Sequence, residues 1–260
     1  MGRFPAVTFS ILALLVHSAA GAADLDAIRA RGSLRVLVGG TVEKFFTLGS
    51  ETAPGMDREI LEAFAHLQGL RLEIVQAPSW NAMVQWLADG KGDVAAGALT
   101  VTESRRQLID FTPEIFPVRH VVVTLAPRPT VSTADQLRKE RLGVQKGTVL
   151  REVVGPMEVD PSRLEELTGA CPPALERGAV TACIVALDEL VSEQRQNPLL
   201  RAGMLIGPSY SYAYGVRKDC PMLLRALSDH VNNVRRGGTW SRLVVKYFGE
   251  DALAALRAAR

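Results

Sequence analysis

The residues best suited to chemistry lie in Leu99–Phe111, LTVTESRRQLIDF, which follows the apolar run Asp93–Leu99. Thr102 is the best cap for a short helix here, because a threonine hydroxyl accepts from free amides two or three residues on. Arg105 then falls in the first helical turn, beside amides with partial positive charge, where a cation is disfavoured. A guanidinium fork, capping hydroxyls and open amides together suit an anion, and a carboxylate in particular. The plainer alternative is a surface arginine next to Arg106. A second anion contact is offered by Gln145–Thr148, QKGT, where a strand ends and a helix begins. An ordinary strand-to-helix turn capped by Thr148 is the alternative there.

Other chemistries find little to work with. His66, His120 and His230 are scattered, and Cys171, Cys183 and Cys220 have no metal-ligand spacing, so no metal site is expected. GKGDVAAG at Gly90 has neither the spacing nor the ending of a phosphate-binding or dinucleotide loop, and no cofactor is expected. Paired carboxylates and Ser/His/Asp sets are absent, which argues against an enzyme. The formal charge is +2 and no basic stripe interleaves with aromatics, so nucleic acid is not an expected partner.

The elements that must position Arg105 alternate between strand and helix. Leu34–Val38 reads as a buried strand. Met56, Ile60, Phe64 and Leu67 recur at helical spacing before Gly69, Leu70–Val75 is a second strand, a helix from Ser79 turns Met83, Val84 and Leu87 inward, and Val94–Leu99 is a third strand. Alternation of this kind implies parallel sheet with right-handed crossovers, and ligands then collect beyond the carboxyl ends of the strands, where Arg105 lies. Pro113 and Pro117 interrupt the pattern. Arg119–Leu125 leads into a new set of αβ units from Arg141, and Ser209–Val216 returns the chain. Two crossings between two αβ lobes describe a cleft with a hinge. Residues 1–23 read as an export signal, with Arg3, a short apolar core from Val7 to Val16, and Ala20-Gly21-Ala22 as a cleavage site.

A small-residue run, T-x-T-x-x-R and then I-D-F-T resembles the amino-acid-type periplasmic solute-binding proteins, extracellular family 3. PGMDREILEAFAHLQGLRLEIV, LGVQKGTV, LERGAVTACIV, YGVRKDCPMLLRAL and GTWSRLVVKYFG follow in the family's order, so the likeness covers nearly all of the chain after the signal. It implies a type II two-lobed α/β fold, with lobe 1 formed by residues 24–121 and 213–260 and lobe 2 by residues 122–212. It implies a periplasmic monomer that takes a small carboxylate ligand and hands it to a membrane permease. By the same resemblance Arg105 grips the carboxylate, aided by Thr100, Ala98 and the Gly147-Thr148 turn; a simple β-branched strand-end residue is the alternative for Thr100. Phe46 is the better candidate for the aromatic contact, although a core role for Phe45 or Phe46 stays open, and Trp80, Trp86 and Trp240 read as packing residues.

One departure stands out. Where family members that bind α-amino acids place a carboxylate for the ligand ammonium, this chain has Ala186, and Thr181 replaces the motif aspartate. Asp188 is near and stands as a candidate ligand contact, but two residues along an extended chain move a side chain by about 6.6 Å, too far for a direct substitute without a change in local path. A mono- or dicarboxylate or a modified amino acid is therefore favoured over an ordinary one. Cys171 with Cys183 is the first choice for a disulfide, with buried thiols as the alternative. GTWSRLVVKYFG is also similar to the binding-protein-like domain of lytic transglycosylases, and some members of the fold are cyclohexadienyl dehydratases. An enzyme on this scaffold and a sensory or accessory module are the rival functions.

Overall fold

The computed structural model describes residues 24–258 except 41, 43, 50 and 51; the expected export signal lies outside the described residues. Helix α1 (Leu25–Arg31) leads to β1 (Ser33–Val38), α2 (Met56–Leu67), β2 (Arg71–Gln76), α3 (Trp80–Ala88), β3 (Val94–Ala96), α4 (Glu103–Arg106) and β4 (Ile109–Phe111). Strand β5 (Phe116–Leu125) carries the chain across to α5 (Ala134–Leu137), β6 (Leu142–Gln145), α6 (Leu150–Val154), β7 (Leu164–Leu167), α7 (Cys171–Glu176), β8 (Ala182–Ala186) and α8 (Leu187–Gln196). Strand β9 (Leu200–Tyr212) brings it back to β10 (Gly215–Arg217) and to α9 (Pro221–Arg236), α10 (Gly238–Phe248) and α11 (Glu250–Ala258).

Two five-stranded sheets result, in the orders β2-β1-β3-β10-β4 and β7-β6-β8-β5-β9. The expected parallel pairing holds for β1 with β2 and β3, and for β6 with β7 and β8. Both sheets are nevertheless mixed, because the crossing segments contribute antiparallel strands: β10 pairs β3 and β4, while β5 pairs β8 and β9. Pro117 is tolerated inside β5 because β8 pairs that strand only from His120 onward, so one side of the proline lacks a ladder neighbour.

The strand expected over Val94–Leu99 stops at Ala96 for a visible reason. Asp57 Oδ2 accepts from the amides of Gly97 and Ala98, both at 3.1 Å, and Ala98 adopts φ 56°, which takes the chain out of the ladder. Asp57 sits on the buried face of α2 with Ile60, Leu61 and Phe64, so the helix that fills the first core also supports this turn. Cys171 and Cys183 are bonded, with Cα atoms 6.0 Å apart, and tie α7 to β8.

Candidate functional site

Thr102 caps α4 as its type predicts, accepting from the Arg105 amide at 3.3 Å. The Arg105 side chain turns inward and is 6% exposed. Nη1 donates to the Thr100 carbonyl at 2.8 Å and Nη2 to Asn81 Oδ1 at 3.2 Å, which fixes the plane of the fork. Among the described residues no carboxylate lies at ion-pairing distance from it. Burial lowers the guanidinium to about 10, with Glu152 and Tyr212 opposing the shift, so it stays charged at neutral pH. Asn81 is itself placed by α3, whose cap Ser79 accepts from the Ala82 amide at 3.2 Å.

Arg105 lines a cavity of about 350 Å³ between the two sheets. Ala98, Thr100, Thr148 and Asp188 of the expected set line it too; Gly147 and Phe46 are not among its lining residues. Phe46 is fully buried in the first core, and its neighbour Phe45 provides the aromatic edge, held by edge contacts to Phe116 and Tyr212 at 5.4 and 5.1 Å between centroids. Gly147 instead meets the first half of the molecule: its carbonyl accepts from the Asn81 amide at 3.1 Å. The Thr148 hydroxyl donates to the Gln145 carbonyl at 2.7 Å, so what the turn can offer an anion is its amides. Trp80, expected to be a packing residue, also lines the cavity and donates from its indole to the Gly97 carbonyl at 2.9 Å.

Ala186 is the last residue of β8, and α8 begins at Leu187. The extended-chain spacing that counted against Asp188 therefore does not apply, because the helix changes the path within one residue and Asp188 reaches the cavity. Glu189 and Glu193 line it as well. Burial raises Asp188 to about 6, with Lys44 opposing. Burial raises Glu189 to about 7, aided by the charges of Asp188 and Glu193. Lys44 Nζ donates to the Asp188 carbonyl at 3.4 Å. Tyr212 stands within electrostatic reach of both poles: burial, then Asp188 and Glu189, push its phenol up while Arg105 pulls it down.

His120 and Tyr212 were not singled out from the sequence. Both lie on the crossing strands β5 and β9, and the alternation of a strand between two lobes does not tell which side will face a cleft. Glu193 was hidden by the change from strand to helix at Ala186. Asp57 did carry a signal, an acid at helical spacing with Ile60, Leu61 and Phe64 on an otherwise apolar face. Among the described residues, no group of three or more His, Cys, Asp or Glu forms a metal-holding cluster, and no helix is long and apolar enough to cross a membrane.

Two αβ lobes with antiparallel crossing strands, and a polar cavity between them carrying a fixed arginine, define a two-lobed small-molecule binding fold. The chain belongs to the bacterial extracellular solute-binding proteins, family 3, whose model matches residues 34–250. It is 25% identical over 206 residues to a probable histidine-binding protein of Neisseria gonorrhoeae, covering 76% of this chain and 75% of the relative. It is 28% identical over 235 residues to membrane-bound lytic murein transglycosylase F of Aeromonas hydrophila, covering 87% of this chain but 47% of the relative, so it spans about half of that protein. A crystal structure of a mutant of ArgBP from T. maritima superposes with a TM-score of 0.78 at 23% identity, covering 87% of this chain and 99% of the other, a likeness of fold.

Proposed function

We propose that the protein is a periplasmic solute-binding protein that captures a small carboxylate-bearing ligand, an amino acid, modified amino acid or organic acid, and delivers it to an ABC-type membrane permease. In this reading residues 1–23 are a cleaved signal. Lobe 1, residues 24–121 and 213–260, closes on lobe 2, residues 122–212, with the hinge in the crossing strands. The observation that carries it is Arg105, a buried, charged fork with no acidic partner among the described residues, fixed at the wall of the cavity. A buried charge left unpaired costs several kcal/mol, and a ligand carboxylate removes that cost. Family membership and the binding proteins among its relatives support the same reading.

Calorimetry with amino acids, organic acids and their amides tests it. Losing one partner of a desolvated charge pair costs about 2 to 5 kcal/mol, so Arg105→Ala should weaken binding about 30-fold to several thousand-fold. Arg106→Ala should weaken it little. Amides that bind as well as acids, or a silent Arg105→Ala, would refute the carboxylate grip. One observation favours a second reading, an enzyme on the same scaffold of cyclohexadienyl dehydratase type: Glu189 lines the cavity, and burial raises it to about 7, the character of a general acid near neutral pH. Mass spectrometry of a bound carboxylate recovered unchanged after long incubation would exclude that reading.

A further inference from the structure

His120 is 2% exposed, and its Nδ1 is buried with no hydrogen-bond partner among the described residues. A neutral imidazole carries one donor and one acceptor, and leaving either unmet inside a protein is costly. Such groups are rare enough to need an explanation. The surroundings of His120 point to one. It lines the same cavity as Arg105, and in the β5–β8 ladder it lies directly opposite Ala186. Residues directly opposite in an antiparallel pair project to the same face of the sheet, with Cβ atoms about 4.5 to 5.5 Å apart. The small Ala186 side chain therefore leaves room beside the imidazole at the position where the family pattern places an acid. The ring is held by an edge contact to Tyr210 at 5.4 Å, and burial keeps it uncharged, down to about 4.

We propose that His120 is a ligand-contacting, specificity-determining residue, whose uncharged imidazole hydrogen-bonds a second polar group of the bound carboxylate in the space beside Ala186. The ligand class is then a small carboxylate that also carries an amine, amide or hydroxyl, and a plain aliphatic acid is disfavoured. This rests on the carboxylate reading above and narrows it.

The test uses the full mature chain with two probe sets, the standard L-amino acids and straight-chain C2 to C6 mono- and dicarboxylates, titrated into wild type, His120→Leu and His120→Asn. Probes with a second polar group should bind wild type best. They should lose about threefold on His120→Leu if that group is neutral and up to about a hundredfold if it is charged. His120→Asn should recover part of the loss, and aliphatic monocarboxylates should not change. The unliganded His120→Leu protein should melt no lower than wild type, since it no longer buries an unpartnered nitrogen. Affinities that stay Arg105-dependent but ignore His120→Leu, or a lower unliganded melting temperature with unchanged affinity, make His120 a packing residue and overturn this inference alone. If wild type binds none of the probes, the carboxylate reading falls and this inference with it.

Discussion

Gly147→Ala should damage ligand binding through a contact separate from its cost to folding. Gly147 has φ +74°, and a Cβ there would lie 2.8 Å from Ser79 Cβ and 3.1 Å from Ser79 Oγ. Two costs follow, and they separate. The left-handed backbone costs a non-glycine residue about 1 to 2 kcal/mol wherever the turn is formed, and this lowers global stability. The overlap with Ser79 exists only when the β6–α6 turn is against α3. Carbon atoms rest at about 3.5 to 4.0 Å, so relief needs a retreat of roughly an ångström, which breaks the Asn81 to Gly147 bond of 3.1 Å. That bond is worth about 0.5 to 1.5 kcal/mol, and Asn81 also fixes the Arg105 fork. Affinity should therefore fall about fivefold to a hundredfold, measured by calorimetry, with small-angle scattering reporting a less compact liganded form. Adding Ser79→Gly should restore much of the affinity, a non-additive pairing expected only of groups in contact. Wild-type affinity in Gly147→Ala, or an additive double variant, would refute the contact as a condition of binding.

Asp57→Ala should cost about 2 to 4 kcal/mol in denaturant unfolding, because it orphans the Gly97 and Ala98 amides and the Tyr214 hydroxyl, which donates to Asp57 Oδ1 at 3.2 Å. Reducing the Cys171–Cys183 bond, which closes a loop of sequence separation 12, should cost about 3 kcal/mol of unliganded stability, read from the same unfolding curves with and without reductant. Asp57, Asp188 and Glu189 have folded-state values raised to about 6, 6 and 7. The folded state therefore holds protons that the unfolded state releases, so unliganded stability should fall as pH rises from about 4 to 7. Melting temperature against pH reads this, and Asp188→Asn with Glu189→Gln should flatten the fall; a rise over the same interval would contradict the direction of these shifts.

The order of strands and helices was legible because each element carries its own period and its own stops. Met56, Ile60 and Phe64 mark α2 and Ser79 caps α3, while Thr102 announces the helix start that holds Arg105, which the family resemblance then singles out from Arg106. What stayed hidden depends on contacts distant in sequence. That β3 ends at Ala96 follows from the carboxylate of Asp57, some 40 residues away, and no local period reports that bond. The choice between Phe45 and Phe46 depends on which ring meets Tyr212 and Phe116 from the crossing strands. For Asp188 the open question was a change in local path, and α8, starting at Leu187, supplies one and turns the residue into the cavity.

The polar residues of the cavity that stayed hidden share one property with Arg105: each is unfavourable where it stands. Among the described residues the buried guanidinium has no ion-pairing acid and a buried imidazole nitrogen has no hydrogen-bond partner, while burial raises Asp188 and burial with the charges of Asp188 and Glu193 raises Glu189. Local rules broken at several places in one cavity mark a site whose cost is offset by binding. The demands differ in kind. A plain aliphatic acid answers only the guanidinium, while a carboxylate with an amine at the far end answers the guanidinium, relieves the acids and gives the imidazole a donor. Affinity should therefore climb in steps from alkyl acid to hydroxy acid to amino acid. The last step should depend on Asp188 and Glu189, the middle one on His120, and the first on Arg105.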